Sequence, residues 1–233
     1  LDWRNLNHSP TGKAVAMALV VAAGVAGWTA LQRYQPALEA KLPLPGVGLS
    51  DPCAIWFIGS STIQRWNNLP ADMAPWKAVK RGVDGAKFAE LTERFGQEPT
   101  STPPRAIVLY AGENDLAEGA TPAQVLAELQ GFLAARTRMY GPVPVLVISL
   151  KPSPTRWANR PLQQLYNAEV RQLTQTAPRI AYVEIGPLLM DGAKPGNFYV
   201  ADGIHLTPAG YRRWTPALNA ALSRELGAAA CGD

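Results

Sequence analysis

Histidine is the telling scarcity in this chain of 233 residues. There are two, His8 and His205, and cysteine is as rare, with Cys53 and Cys231. So few ligands cannot form the paired Cys/His spacing of a zinc site, so no metal site is expected. No organic cofactor is called for either. Any imidazole chemistry in the folded part of the chain falls to His205. Basic runs are also missing. Lys and Arg number 22 against 18 Asp and Glu, a net charge of +4 spread along the sequence without aromatic interleaving. That pattern excludes a nucleic-acid partner and fits an ordinary solvated surface. There is no internal repeat and no low-complexity tract. With 47% hydrophobic residues the chain is not composed like a disordered one.

One long apolar run is present. Residues 14–31, from Ala14 to Leu31, carry no charge, with Arg4 and Lys13 before them and Trp28, Arg33 and Tyr34 at the far end. Such a run is near the minimum for a bilayer-spanning helix. Residues 1–34 are therefore expected to be a membrane anchor, with a cleaved secretory signal as the alternative, for which Ala26 and Gly27 offer small residues. Either way the rest is exported, with an inner-membrane-anchored periplasmic domain or a secreted one as the two outcomes. In an oxidising compartment Cys53 and Cys231 could pair, and two free thiols are the other reading. Residues 35–52 hold Pro36, Pro43, Pro45, Gly46, Gly48 and Pro52, the composition of a linker. The folded domain is then 53–233, long enough for a substantial core.

From Cys53 onward short apolar runs alternate with helical patterns. Strands are expected at about 54–58, 77–81, 106–110, 143–150 and 180–185. Helices are expected at about 86–95, from Thr121-Pro122 to Tyr140, at 161–176, and from Thr207-Pro208 onward, where a capping threonine precedes a proline at the first helical position. Continuous apolar strands separated by helices give a parallel sheet covered on both faces, a three-layer α/β/α domain with five strands. The strand 143–150 is the most apolar and is expected at the centre.

The polar residues after these strands collect on the carboxyl edge, where α/β folds bind ligands. Gly59-Ser60-Ser61 ends the first strand and opens a helix, which exposes a serine and directs backbone N–H groups at it. Taken alone, Gly-Ser-Ser also reads as a turn and helix cap. A serine nucleophile needs a base and the base needs an orienting group. His205 is the available histidine, and Asp202 sits three residues before it with Gly203 between. Donors for an oxyanion are the Ser61 N–H, the Gly85 N–H after the second strand and the Asn114 amide after the third. Asp115 suits bracing of its own loop, and Glu113 is a second acid that nothing singles out. Arg156 and Trp157, after the fourth strand, fit either a substrate-binding wall or a stiff loop with arginine stacked on tryptophan.

Together the blocks Gly59-Ser60-Ser61, Arg81-Gly82-Val83-Asp84-Gly85, Gly112-Glu113-Asn114-Asp115 and Asp202-Gly203-Ile204-His205 resemble, in order and spacing, those of the SGNH hydrolases, or GDSL-type esterases and lipases. The resemblance spans about residues 53–226. It implies a flavodoxin-like fold and carboxylic ester hydrolysis without a cofactor. Ser61, Asp202 and His205 would be the triad, and Ser61, Gly85 and Asn114 the oxyanion hole. Ser60 stands where the family usually has Asp, a variant met among members resembling platelet-activating-factor acetylhydrolases and carbohydrate esterases. Gly82 competes with Gly85, and Ser60 with Ser61. The expected substrate is a short acyl ester, such as acetyl, on an envelope carbohydrate or small lipid. An exported O-acyltransferase using the same triad and a non-catalytic glycan-binding module are the alternatives.

Overall fold

The computed structural model describes residues 42–46, 50–227 and 231. The chain divides into two units, Leu1–Leu42 and Pro43–Asp233. The apolar run 14–31, most of the expected linker 35–52, and His8 lie outside the described residues. Among the described residues no helix is long and apolar enough to cross a membrane.

The second unit alternates strand and helix. In chain order it holds β1 (Ala54–Gly59), α1 (Ser61–Gln64), α2 (Leu69–Asp72), β2 (Lys77–Gly82), α3 (Phe88–Phe95), β3 (Ala106–Tyr110), α4 (Glu113–Ala117), α5 (Pro122–Tyr140) and β4 (Val145–Ile148). There follow α6 (Arg160–Thr176), β5 (Ile180–Val183), a small hairpin β6 (Met190–Asp191) and β7 (Lys194–Pro195), and α7 (Pro208–Leu226). The main sheet is parallel throughout, in the order β2-β1-β3-β4-β5. Helices α3, α5 and α6 pack together on one face. On the other, Trp66, just after α1, stacks on Tyr211 and meets Trp214 edge-on, both from α7. The result is the three-layer α/β/α sandwich.

Local rules explain the long helices. Thr121 accepts from the Gln124 N–H while the Gln124 side chain takes the Thr121 N–H, a reciprocal capping box with Pro122 at the first position. Thr207 likewise accepts from Gly210 N–H and precedes Pro208. Two expectations need correction. The central strand is β3, not β4. The inner strands β1, β3 and β4 are all buried end to end, so each is uniformly apolar and hydropathy cannot order them. And 143–150 is shortened to Val145–Ile148, because the main chain of Leu150 leaves the ladder for the Asn167 side chain, at 2.8 Å and 3.1 Å.

Register sets up the site. Gly59 lies level with Gly82 of β2 and Tyr110 of β3. The segments that leave these three strands, carrying Ser61, Gly85 and Asn114, therefore start from one height on the carboxyl edge.

Candidate active site

Ser60 is the extended residue before α1, and Ser61 is the first residue of that helix. The Ser61 N–H has no intrahelical acceptor at this position and points from the positive end of the turn. Ser61 Oγ lies 2.7 Å from His205 Nε2, and His205 Nδ1 lies 2.6 Å from Asp202 Oδ2. The structure thus brings together the three side chains that the sequence pairs as nucleophile, base and orienting acid. The imidazole faces Ser61 rather than Ser60.

The Asp202-to-His205 turn is built by its own carboxylate. Asp202 Oδ1 accepts from the N–H groups of Ile204 and His205, at 2.8 and 2.9 Å, which leaves Oδ2 for the imidazole. Burial pushes the Asp202 carboxyl up, but the hydrogen bonds from the His205 ring and these two N–H groups outweigh it and hold it well below the usual range. Arg65 Nη1 lies 3.1 Å from His205 Nδ1 and 3.7 Å from Asp202 Oδ2. One imidazole nitrogen cannot both donate to the carboxylate and accept from a guanidinium. The shorter, charge-assisted contact takes the proton, so Nδ1 donates to Asp202 and Nε2 is free to accept from Ser61. Arg65 is then a charge neighbour of the carboxylate.

The donor side is tied to the same scaffold. Asp84 lies 3.4 Å from Arg65, and Asn114 Nδ2 donates to Ala86 O at 3.0 Å, so the β2–α3 turn is gripped from both sides. Between the rival glycines, Gly82 is a packing position, since a Cβ there would fall 2.2 Å from Gln64 N. Gly85 has φ +72° and open space around it. Among the described residues the N–H groups of Ser61 and Gly85 have no acceptor. Asn114 uses one amide hydrogen on Ala86 and has a second to offer. Asp115 braces the neighbouring loop, accepting from Phe88 N–H at 3.2 Å.

Arg156 does not stack on Trp157. Arg156 Nη1 donates to Asn114 Oδ1 at 2.9 Å and lies 3.5 Å from Glu113 Oε1, so it belongs to the wall behind Asn114. Trp157 is partly exposed, and the guanidinium stacked on it belongs to Arg160 rather than Arg156. Sequence reasoning missed Arg65, Lys151 and Tyr110. Arg65 lies one helical turn after Ser61, a spacing that shares a face. Lys151 is a charge directly after an apolar strand. It is fully buried against Glu113, at 2.5 Å, and Tyr110 OH donates to the same carboxylate oxygen at 2.6 Å. Burial alone would raise the Glu113 carboxyl, but Lys151, Tyr110 and Arg156 hold it below its ordinary value.

Among the described residues no three His, Cys, Asp or Glu side chains gather as ligands for a metal ion. A cavity of about 370 Å³ opens beside His205, between Arg65, Asn67, Asn68, Val200 and Pro208. A larger one, about 740 Å³, lies along α6 against Glu184 and Pro187 and reaches neither Ser61 nor His205.

Residues 46–213 match the model of the GDSL-like lipase/acylhydrolase family. Among curated proteins none matches the chain. Several solved structures share the fold. One, from Streptococcus pneumonia, is provisionally described as a platelet activating factor; it is 21% identical, with 90% of this chain and 99% of that one covered and a TM-score of 0.67. A GDSL-like lipase from Bacteroides thetaiotaomicron is 20% identical over 83% of this chain and 97% of its own, with a TM-score of 0.62. A carbohydrate esterase family 3 protein from Talaromyces cellulolyticus is 13% identical over 74% and 97%, with a TM-score of 0.57.

Proposed function

The chain belongs to the GDSL-like lipase/acylhydrolase family and is a carboxylic ester hydrolase, and from that premise we propose that Ser61 is its nucleophile, His205 its general base and Asp202 the group that orients the base. The observation that carries the assignment is the unbroken relay Ser61 Oγ–His205 Nε2, 2.7 Å, and His205 Nδ1–Asp202 Oδ2, 2.6 Å.

In this reading Ser61 Oγ attacks the ester carbonyl carbon while His205 Nε2 takes its proton. The oxyanion is met by the N–H groups of Ser61 and Gly85 and the free amide hydrogen of Asn114. The carbon–oxygen bond to the alcohol then breaks, and His205 gives its proton to the leaving alkoxide. Water attacks the acyl-serine, His205 takes a proton from it, and collapse releases the acid and returns the proton to Ser61. Asp202 stays ionised throughout and steadies the imidazolium.

We propose a short acyl group, such as acetyl, on an envelope carbohydrate or small lipid as the substrate. His205 hands its proton to the alcohol, so the cavity beside it is suited to the alcohol half. Its lining mixes the amides of Asn67 and Asn68 and the guanidinium groups of Arg65 and Arg212 with apolar Val200, Leu206 and Pro208, and its volume of about 370 Å³ suits a small alcohol better than a long chain. The similar fold of a carbohydrate esterase supports the same reading. Export is supported by the Cys53–Cys231 disulfide, a bond of oxidising compartments. Residues 14–31 would then be the anchor or the cleaved signal.

The test is release of p-nitrophenol from acetate, butyrate and longer esters. Short esters should be turned over fastest. Ser61→Ala and His205→Ala should each lose about 10³-fold or more in kcat. A Ser61→Ala variant as active as the parent would refute the site.

A further inference from the structure

Arg156 hydrogen-bonds to none of Ser61, Asp202 and His205, yet it holds the side chain that completes the oxyanion hole. We propose that Arg156, backed by the buried Glu113–Lys151 pair, is a positioning residue. It fixes the Asn114 amide with its N–H toward the reacting carbonyl and keeps a positive charge directly behind it. The inference rests on the reading of Asn114 as an oxyanion donor.

An asparagine amide has two nearly isosteric orientations, related by a half-turn about its last torsion. Only one aims a donor at a developing negative charge; the other would aim a carbonyl dipole at it. Two contacts select the productive orientation. Nδ2 donates to Ala86 O at 3.0 Å, and Oδ1 accepts from Arg156 Nη1 at 2.9 Å. A guanidinium can only donate and a backbone carbonyl can only accept, so a flipped amide would make both contacts repulsive. The contact to Ala86 uses one amide hydrogen and leaves the other for substrate. The charge-assisted bond at Oδ1 draws electron density from the amide and makes that remaining N–H a stronger donor.

Arg156 is itself held from within. Glu113 Oε1 is buried and makes no hydrogen bond, and Arg156 Nη1 lies 3.5 Å from it. The other Glu113 oxygen is taken by Lys151 Nζ and Tyr110 OH. Glu113 and Lys151 are almost fully buried and offset one another as an ion pair. The guanidinium is therefore the net charge of the cluster, one amide away from where the oxyanion forms, and its side chain is mostly screened from solvent. Placement follows from the loop after β4. Thr155 Oγ1 donates to Asp202 O at 2.6 Å and Thr155 N–H to Gly203 O at 3.2 Å. The next residue, Arg156, reaches the opposite wall. Residues 155 and 156 thus lock the triad turn and the oxyanion donor to one another.

Steady-state kinetics on p-nitrophenyl acetate test this with Arg156→Ala, Arg156→Lys, Arg156→Gln, Asn114→Ala and the Arg156→Ala/Asn114→Ala pair, each checked for folding by thermal melting. Removing an oxyanion donor outright costs about 10²–10³-fold. Loss of Arg156 should therefore lower kcat by roughly 10–100-fold, with KM within about twofold. Lys should restore part of the rate, and Gln, which keeps a donor without charge, less. The double variant should be no slower than Asn114→Ala, because Arg156 acts through that amide. Additive losses, a change confined to KM, or full activity in Arg156→Ala would overturn the inference while leaving Ser61 and Asn114 in their roles. Wild-type kcat in Asn114→Ala would instead remove the oxyanion reading, and the inference with it.

Discussion

A single carboxylate, Asp202, does three jobs: one oxygen accepts two backbone N–H groups and shapes the turn, while the other orients His205. Its depressed pKa fixes a sign. The folded value lies below the unfolded 3.8, so the stabilisation it brings is present above about pH 4 and is lost as pH falls below that. Between pH 5 and 8 Asp202 does not change charge. Proton uptake by Asp202 should therefore add nothing to the pH dependence of kcat/KM in that range. An acid limb with a slope of two there, measured with p-nitrophenyl acetate, would remove Asp202 as a permanently ionised partner. Asp202→Asn should lower kcat by roughly 10²–10⁴-fold, since an amide cannot steady the imidazolium.

At the scale of elements, the segments after β1, β2 and β3 carry Ser61, Gly85 and Asn114, while Asp202 and His205 come from the loop before α7 and reach Ser61 across the carboxyl edge. The turn at Gly203 is crowded. Gly203 has φ +65°, and a Cβ there would lie 2.5 Å from Thr155 Oγ1, the atom that holds Asp202 O. Gly203→Ala combines a left-handed conformation, about 1–2 kcal/mol, with overpacking of about 1–3 kcal/mol. Urea unfolding should show a loss of about 2–5 kcal/mol, and kcat/KM should fall with it, because the shifted atom carries the Asp202–His205 turn. Unchanged stability would mean that the 155–203 contact is not rigid.

Over the whole molecule, two fastenings hold the amino-terminal edge of the second unit. The Cys53–Cys231 disulfide joins the residue before β1 to one near the chain end, 178 positions later. Arg81, fully buried, binds Glu98 and the carbonyls of Leu44 and Pro45 and lies 4.3 Å from the Trp56 ring centroid, so residues 44–45, read from sequence as linker, are fixed onto the domain. Closing so long a loop should stabilise by about 3–5 kcal/mol. Reduction, or Cys231→Ser, should lower Tm by roughly 10 °C. At 25 °C kcat should not change, because β1 separates Cys53 from Ser61 by roughly 20 Å of strand. A fall in kcat on reduction at constant fold would contradict that separation.

The sequence by itself determined the alternation of strands and helices and the capped starts of α5 and α7, and it offered Ser61, Asn114, Asp202 and His205 as candidate site residues, with Gly85 preferred over Gly82 on the family resemblance. These signals are local, or follow from scarcity: with one histidine available to the domain there was one base to choose. Tertiary structure decided what depends on neighbours distant in sequence. It put β3 at the centre of the sheet, because strands covered on both faces are alike in hydropathy. It gave Arg156, for which the sequence left a substrate-binding wall and a stack on Trp157 both open, to Asn114, and gave the Trp157 ring to Arg160. It joined Cys53 to Cys231. It also paired Lys151 with Glu113 beneath the site. A buried charge is tolerable only beside its partner, and that partner lies 38 residues away in the chain. The serine turn that opens α1 is legible as a turn at any glance; its 2.7 Å contact with an imidazole 144 residues later is not.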